Sequence, residues 1–571
     1  MPQVSCRRYP SQAHSLGCPF ISPWLLTLKR DIRVSTGLRF HGACQPQVSQ
    51  EGEVMKSRVL MLFYIVALGL FAALALPRRL AAQQPRYKLV YLDDAGGPHI
   101  AVDGNISCCG ELPSIINNSG TAVGSASTSI PNPNSAVDNP YIVPNPTTIV
   151  AVAWQGPVPI NLGALPGGYN SFANNISNSG LIAGISDTGD IDPRLGVVQV
   201  HPTLWVSGHP IDLGTFGGGE GYANQVNDSG QVVGYAQNRI ADSYDYFGLG
   251  TQSRAFLWQY GVLKDLGTLG GKDSQAIFVN DLGQIAGVSY TTSTAVTNTG
   301  FVCTQGSFVP RQDPFFWENG KMLDMGNLGG NCAAPAGINI HGQVAGNSDL
   351  ADVNAYPHAF LWSRESGMKD LGTLGGTFAQ ADALTDFGEV VGASSTQEDQ
   401  AFFAVLWKDG VITNLGSLPG DCGSSAYAIN SQGQITGDSF NCVTGATRPF
   451  LWENGHMYGF HIVPPAGTEL LYSEPASIND QGEIVGYSFL NTGYQAFLLV
   501  PCSDARTENC EDVTANASVS TQGDPEAAAQ SPATADQGNL TPREMLALIR
   551  AQSGRRPHIS SFPRKSSETI R

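Results

Sequence analysis

The stretch Ala255–Gly287, AFLWQYGVLKDLGTLGGKDSQAIFVNDLGQIAG, contains four short apolar segments separated by turns. Ala255–Trp258 is followed by a turn and by Val262–Leu266, which leads into Leu-Gly-x-Leu-Gly-Gly. Ala276–Asn280 and Gln284–Gly287 form the second pair, separated by Asn-Asp-x-Gly. Glycine and asparagine supply the positive φ angles that tight hairpins need. Two hairpins of short strands cannot bury an apolar face alone, so neighbouring units must stack.

The unit recurs from about Tyr87 to Val500, and the number of copies decides the architecture. The tryptophan of the first segment occurs seven times, and Leu499 takes its place in the eighth copy. The first copy lacks this segment and begins with Tyr87–Leu92 at the second. A missing strand at the start and a surplus strand at the end indicate a ring closed by its own termini. The glycine that closes the fourth segment lies at Gly124, Gly184, Gly234, Gly287, Gly346, Gly392, Gly437 and Gly486.

These counts predict an all-β fold, a β-propeller of eight four-stranded blades closed by the N- and C-terminal strands. A seven-bladed ring and an open β-array are the alternatives. The uniform glycine-rich loop favours a crossover between blades at that loop, with Tyr87–Leu92 as the outermost strand of the last blade. The variable connections and the glycine-rich loops would then emerge on one face, where binding residues tend to collect.

The region before the repeats differs from them. Residues 1–54 contain no repeat, and we interpret them as a non-native upstream extension. Met55 opens a basic segment followed by the apolar run Val59–Leu76 and by Leu80–Ala82, which is the anatomy of a signal peptide over 55–82. A retained membrane anchor is the alternative, because such a run approaches the length of a spanning helix. Both interpretations place the repeats, 83–501, outside the cytoplasm.

The C-terminal region has no repeats. The composition of 502–540 predicts a disordered linker. Thr541–Glu544 carries the signals of a helix start, so a short helix should open the tail 541–571. This tail has seven Lys and Arg against two Glu. It is either a docking segment for an acidic surface or a solvated terminus.

The overall charge argues against nucleic acid as a partner. The formal net charge is −17, whereas nucleic-acid binding requires basic stripes. The 66 glycines and 35 prolines suit a turn-rich β protein. A membrane would be a partner only through an uncleaved N-terminal segment.

Eight cysteines follow the predicted signal peptide, and an even number in an exported protein favours disulfides. Cys332 and Cys422 share one repeat position, just past the glycine-rich loop, and Cys303 and Cys442 lie in connections on the same predicted face. We therefore predict the pairs Cys303–Cys332 and Cys422–Cys442. Cys502–Cys510 would close a loop in the tail, and the pairing of Cys108 and Cys109 stays open.

Several motifs suggest chemistry, but their repetition favours structural roles. Gly437–Phe440 resembles the nucleophile block of GDS-type esterases, yet Ser439 aligns with serines of five other units, and a nucleophile needs its own base. The Asp of the Asp-Leu-Gly motif is replaced by Asn in two units, which favours turn capping over a carboxylate ring. No catalytic residue or cofactor is predicted.

Two groups in the variable connections are ligand candidates. Asp187, Asp190 and Asp192 provide oxygen ligands of the kind that calcium prefers, although their spacing does not fit an EF-hand. Tyr244, Tyr246 and Phe247 are candidates for contact with a ligand. The repeated tryptophans, by contrast, are expected in the core between blades.

The phrase His358–Trp362 (HAFLW), followed by Asp370–Gly376 (DLGTLGG) and by Asn-x-x-Gly turns elsewhere, resembles the HAF-repeat family of bacterial extracellular repeat proteins. The resemblance covers nearly all of 87–500 and implies an exported β-repeat protein without assigned catalytic residues. The histidine is not required in every unit, because its position holds Arg254 and Asp313 in two others. A repeated metal site at this histidine is therefore disfavoured.

Taken together, the sequence favours an exported, non-enzymatic propeller that acts as a binding scaffold at the cell envelope or outside the cell. Its ligand would be a polysaccharide or a protein. An extracellular glycan hydrolase or lyase is one alternative, which would require carboxylates at non-equivalent repeat positions. A purely structural envelope protein is the other.

Overall fold

The repeat unit forms a four-stranded antiparallel sheet, and the computed structural model contains eight of these sheets, arranged as an eight-bladed β-propeller. The structure describes residues 85–101, 115–137, 139, 146–297, 302–303, 308–351, 356–502 and 514–519. The chain divides into two units, 1–82 and 83–571, and all described residues belong to the second. The predicted extension 1–54, signal peptide 55–82 and tail 541–571 lie outside the described residues.

Blades 1 to 4 follow one another along the chain, each with its four strands in order. Blade 1 consists of β2 (Gly96–Ala101), β3 (Ala122–Pro131), β4 (Thr147–Trp154) and β5 (Pro159–Asn161). Blade 2 consists of β6 (Ser171–Ile176), β7 (Ile182–Ile191), β8 (Val198–Val206) and β9 (His209–Asp212). Blade 3 consists of β10 (Gly217–Val226), β11 (Val232–Ala241), β12 (Thr251–Gln259) and β13 (Val262–Asp265). Blade 4 consists of β14 (Ser274–Val279), β15 (Ile285–Thr297), β16 (Phe308–Glu318) and β17 (Lys321–Asp324).

Blades 5 to 8 repeat this order, and the last blade borrows its fourth strand. Blade 5 consists of β18 (Gly329–Ile338), β19 (Val344–Leu350), β20 (His358–Ser363) and β21 (Gly367–Asp370). Blade 6 consists of β22 (Gly375–Leu384), β23 (Val390–Thr396), β24 (Phe402–Lys408) and β25 (Val411–Gly416), with a 3-10 turn at Gln397–Asp399. Blade 7 consists of β26 (Gly423–Ile429), β27 (Ile435–Phe440), β28 (Thr447–Glu453) and β29 (His456–Phe460). Blade 8 consists of β30 (Leu470–Ile478), β31 (Ile484–Leu490), β32 (Gly493–Pro501) and β1 (Tyr87–Tyr91).

The two ends of the repeat region meet in blade 8. Strand β1 pairs antiparallel with β32, so that Tyr87 faces Pro501 and Tyr91 faces Phe497. The sheet order β1-β32-β31-β30 places β1 at its outer edge. The predicted ring closed by its own termini is confirmed, and the seven-bladed and open alternatives are wrong.

The crossover between blades lies at the glycine-rich loop, as predicted, because each fourth strand ends at the start of that loop and the next first strand begins at its end. First strands of successive blades contact one another, which places them innermost. We call the face that carries the glycine-rich loops and the connections between second and third strands the loop face. The opposite face, with the Asn-x-x-Gly turns, is the turn face.

The asparagine of each Asn-x-x-Gly turn joins its blade to the next. In Asn280, Oδ1 accepts the amides of Leu282 (3.1 Å) and Gln284 (3.0 Å), while Nδ2 donates to the carbonyl of Asn339 in the following blade (2.8 Å). Gly283 completes the turn at a φ of 75°. Corresponding bonds of 2.9–3.2 Å to the next blade are donated by Asn117, Asn227, Asn339, Asn430 and Asn479. The bond from Asn479 to Asn117 closes this belt across the junction of the chain ends.

The closing glycine of each unit is required by packing. A Cβ on Gly346 would lie 2.2 Å from the carbonyl of Ala334 and 2.6 Å from the ring of Phe360. Gly287 meets the carbonyl of Gln275 and the ring of Phe315 in the same way. Most of the repeated tryptophans are buried between blades, as expected.

One segment of the predicted linker 502–540 has regular structure. Thr514–Val519 forms β33, which pairs with β29 at the outer edge of blade 7. The prediction of a linker without structure is therefore wrong for these six residues. Polar residues such as Thr514 and Asn516 gave little strand signal, but the unpaired edge of β29 supplies the backbone partners.

Candidate functional site on the loop face of blades 1 to 4

The repeated serine of the second strand fastens the glycine-rich loop. In blade 7, Ser439 Oγ accepts the amide of Leu418 at 3.0 Å and lies 3.3 Å from the carbonyl of Gly423. Ser186, Ser289, Ser348 and Ser394 accept the corresponding leucine amides in their own blades. At Ser439 the hydroxyl also donates to Asp421 Oδ2 at 2.7 Å. The bond to the leucine amide, which recurs in four other blades, is a structural role of this serine.

The aspartate of Asp-Leu-Gly caps the turn that follows it. Asp370 Oδ1 accepts the amide of Gly372 at 2.8 Å, and Asn414 makes the same contact with Gly416. His358 Nδ1 lies 2.7 Å from the Asp370 carboxylate. Burial would raise the pKa of Asp370, but the hydrogen bonds from His358 and Gly372 outweigh burial and lower it.

The role of the repeated histidine was not found from the sequence. It lies beside the Asp-Leu-Gly carboxylate in two units, and Arg254 replaces it in a third, with its Nε 3.2 Å from Asp265. The available signal was that in these three units the His or Arg precedes the Asp of Asp-Leu-Gly by 11 or 12 residues.

Blades 1 to 4 differ from blades 5 to 8 on the loop face. Their second strands have 10 to 13 residues, whereas those of blades 5 to 8 have 6 or 7. Part of what the sequence indicated as connection, including Asp187–Ile191 and Ser289–Thr297, is therefore strand. The longer hairpins end in exposed isoleucines: Ile130 is 61% exposed, Ile191 45% and Ile240 59%.

The aromatic candidates of blade 3 pack into a cluster beneath these hairpin ends. Phe247 stacks on Tyr235 with ring centroids 3.9 Å apart, and Tyr246 lies 5.5 Å from the ring of Tyr290. Tyr244 meets Phe308 of blade 4 edge-to-face at 5.8 Å. All three candidates are half-buried, so they brace the hairpins and leave part of each ring on the surface.

Two carboxylic acids are fully buried at the same site. Glu220 Oε2 accepts from Asn139 Nδ2 at 2.7 Å, and Asp273 Oδ1 accepts the amide of Ser253 at 2.6 Å. Burial, more than any neighbouring group, raises the pKa of Asp273 to about 8 and that of Glu220 well above its usual value. No sequence pattern predicts these buried acids, because the segment Gly-Gly-Gly-Glu-Gly around Glu220 has the composition of a solvated loop.

The three calcium candidates do not converge. Asp187 is buried and accepts the amides of Tyr169 and Asn170, and Asp192 pairs with Arg194 at 3.4 Å. Among the described residues no group of three or more His, Cys, Asp or Glu is placed to hold a metal ion. Asp187, Asp190 and Asp192 are therefore not gathered into one group of carboxylate ligands.

Two predicted disulfides are present on the loop face. Cys303 pairs with Cys332 and Cys422 with Cys442, with Cα atoms 5.8 and 5.9 Å apart. Cys502 is also disulfide-bonded, while its predicted partner Cys510, like Cys108 and Cys109, lies outside the described residues. Disulfides are typical of proteins outside the cytoplasm. Within the described part of the chain, no helix is long and apolar enough to cross a membrane.

Comparison with solved structures finds distant similarity only. The chain is similar to an acylaminoacyl peptidase of Pyrococcus horikoshii (10% identity, TM-score 0.34) over 66% of this chain and 57% of the peptidase. Similarity to dipeptidyl peptidase 4 of Porphyromonas gingivalis (10%, TM-score 0.38) covers 65% and 56% of the two chains. A Trypanosoma rangeli sialidase in complex with the inhibitor DANA (9%, TM-score 0.26) matches over 56% and 52%. The chain thus spans little more than half of these proteins.

No family model and no curated protein matches the chain. The propeller is therefore established by the strand pairing described above, and its function has to be argued from its own residues.

Proposed function

We propose that this chain is an exported, non-enzymatic propeller that binds a polysaccharide or a protein on the loop face of blades 1 to 4, at the cell envelope or outside the cell. The observation that carries the proposal is the restriction of long second-strand hairpins to four consecutive blades. A purely structural ring has no need for this difference. We also propose membership of the HAF-repeat family, on the repeated HAFLW and DLGTLGG motifs.

The surface of this half suits recognition. Three isoleucines stand at the hairpin ends, and the rings of Tyr244 and Phe308 lie between the ends of blades 3 and 4. Aromatic side chains provide large contact areas together with a polar group, which favours their use at binding surfaces. The disulfides support a location outside the cytoplasm, and the predicted signal peptide 55–82 supplies the route.

A glycan array probed with the full chain tests the proposal, with and without added calcium. We expect Ile240→Asn and Tyr244→Ala to reduce binding at least roughly tenfold, as for hot-spot residues. Val443→Asn is the matched control, because Val443 is 90% exposed on the loop face of blade 7. Equal losses from Val443→Asn would contradict the assignment of this half. If no glycan binds, the polysaccharide ligand is excluded and a protein ligand is left.

A glycan hydrolase or lyase is the second candidate, favoured by the raised pKa values of Glu220 and Asp273. A catalytic acid must reach its substrate, however, and both side chains are fully buried. Release of reducing ends from a bound glycan by wild type, with loss in Glu220→Gln, would establish this function instead.

A further inference from the structure

The two buried acids hold one structural position in adjacent blades. Glu220 lies three residues before Ala223, which faces the closing glycine Gly234, and Asp273 lies three residues before Ala276, which faces Gly287. In the other blades where it is described, this position holds no carboxylic acid: it is occupied by Asn170, Cys332, Phe378, Gly423 and Tyr472.

Asn170 of blade 2 shows how an uncharged polar side chain is held at this position. Its Oδ1 accepts the amide of Ile149 in the preceding blade at 3.0 Å, and its Nδ2 donates to Asp187 at 3.0 Å. Asp273 reproduces the first contact, with the amide of Ser253. Its second oxygen, Oδ2, has no hydrogen-bond partner in the described part of the chain. A protonated Asp273 carboxyl is uncharged and keeps the oxygen that accepts the backbone amide. It therefore fits this position in the same way as the side-chain amide of Asn170.

The groups around Asp273 disfavour its ionised form. Asp242 and Asp245 of the blade 3 connection repel a negative charge there, and Arg254 of β12 attracts it. The neighbouring Lys272 directs its ammonium to Asp242 at 3.2 Å. Burial and two like charges therefore act against a single partly paired arginine.

The surroundings of Glu220, one blade earlier, also disfavour its ionised form. Oε2 accepts from Asn139, and a backbone hydrogen bond from Val200 also favours the ionised carboxylate, but burial outweighs both. Both amide atoms of Gln237 on β11 have no partner among the described residues. From blade 2, Asp192 repels a charge on Glu220 and Arg194 attracts it. Arg194 is already shared, because it pairs with Asp192 and donates to the carbonyl of Leu249.

The connection of blade 3 is held by contacts next to these acids. Arg194 from blade 2 reaches Leu249, Lys272 from blade 4 reaches Asp242, and Phe247 stacks on Tyr235. A negative charge on Glu220 would repel Asp192 and compete with it for Arg194. A negative charge on Asp273 would repel Asp242 and Asp245 of the connection. Burying an unpaired charge is costly, so the connection would open to admit water.

We propose that Glu220 and Asp273 form a proton-sensitive latch: when both are neutral, the blade 3 connection 239–252 packs between blades 2 and 4, and when they lose their protons it is released. The pKa of Asp273, raised to about 8, supports a transition on the alkaline side of neutrality, and burial raises the pKa of Glu220 in the same direction. The latch is independent of the identity of any ligand.

Hydrogen exchange of the full chain, corrected for intrinsic rates, tests the latch between about pH 6 and about pH 9, a range that spans the expected transition. In wild type, we expect peptides covering 239–252 to open at least roughly tenfold more at the higher pH. The double variant Glu220→Gln, Asp273→Asn should open equally at both values. The connection 440–447 of blade 7 is the internal control, because Asp421 beneath it is paired with Arg448 at 2.8 Å.

A pH-independent 239–252 segment in wild type, or the same pH response in the double variant, would overturn the proposal. If the double variant fails to fold, the single variant Asp273→Asn replaces it in the experiment, because blade 2 has an asparagine, Asn170, at the equivalent position. Infrared spectroscopy gives a second readout: the C=O band of protonated carboxyls should shrink on going to high pH in wild type, and this change should be smaller in Asp273→Asn. An identical change in the two proteins would show that Asp273 is not the group that titrates.

Discussion

Blades 5 to 8 and blades 1 to 4 share one scaffold but differ in what they build on it. Both halves have the asparagine bonds between successive blades and the capped Asp-Leu-Gly turn. In both, the second-strand serine accepts an amide of the glycine-rich loop. In blade 7 the buried carboxylate Asp421 is paired with Arg448. In the described parts of blades 3 and 4, Asp273 Oδ2 has no hydrogen-bond partner, and Glu220 accepts from Asn139 instead of a cation. At these acids the two regions therefore differ in whether a cation offsets the buried carboxylate, and a buried carboxylate without one is costly.

The largest expected effect concerns the shared scaffold. Phe315 of blade 4 and Phe360 of blade 5 are fully buried against equivalent glycines. Phe315→Ala and Phe360→Ala should each lower the free energy of unfolding by about 4 kcal/mol, because each leaves a cavity. Urea denaturation measures both, with the exposed Phe387→Ala as a control that should change little. A clearly smaller loss at Phe315 would show that the scaffold itself differs between the halves.

The second prediction concerns the paired carboxylate of blade 7. Arg448→Met should destabilise the protein by about 2 kcal/mol, because it leaves the buried Asp421 without its cation while Arg448 itself is partly exposed. Arg364→Met is the matched control, since Arg364 pairs with Glu318 at 2.8 Å on a more exposed surface. Equal effects of the two variants in urea denaturation would refute the importance of burial at this pair.

The third prediction concerns a substitution of Asp273 that should stabilise the protein, in contrast to the two destabilising substitutions above. Above the pKa of an unfolded aspartate, the unfolded chain releases a proton that native Asp273 retains up to a pKa of about 8. Wild-type stability should therefore fall as the pH rises from about 4 to about 8. Asp273→Asn should reduce this slope, while Glu220 still contributes to it, and should stabilise the protein by roughly 2 kcal/mol at about pH 8. Urea denaturation of wild type and Asp273→Asn across this pH range measures the effect. If Asp273→Asn is less stable than wild type at every pH, the claim that native Asp273 is uncharged is contradicted.

The sequence predicts the scaffold well because its features repeat. Eight closing glycines and the surplus strand at Leu499 determined the ring, and shared repeat positions identified two disulfides. The extended hairpins were missed because segments such as Ser289–Thr297 are polar and lack apolar alternation. The buried acids were missed because burial of Glu220 depends on Asn139 and on blade 2, which no local pattern encodes.

The smallest expected effect concerns the repeated histidine. His358→Arg should change stability by less than about 0.5 kcal/mol, because Arg254 already performs this role in blade 3. His358→Ala should cost about 0.5–1 kcal/mol. The lowered pKa of Asp370 stabilises the fold above the unfolded pKa of aspartate, and this contribution is lost as the pH falls through the folded value. Thermal unfolding in mild acid measures it, and a large loss in His358→Arg would point to a further role for the imidazole.

The assignment of the loop face of blades 1 to 4 as the binding half is tested most directly by site-specific photo-crosslinking with the full chain in its native envelope. A photoreactive residue is placed once in each blade on the loop face, at Ile130, Ile191, Ile240, Phe308, Ala351, Gln397, Val443 and Thr492. The account predicts adducts from the first four positions and none from the last four. Adducts of equal yield all round the ring, or from the last four positions alone, would contradict it.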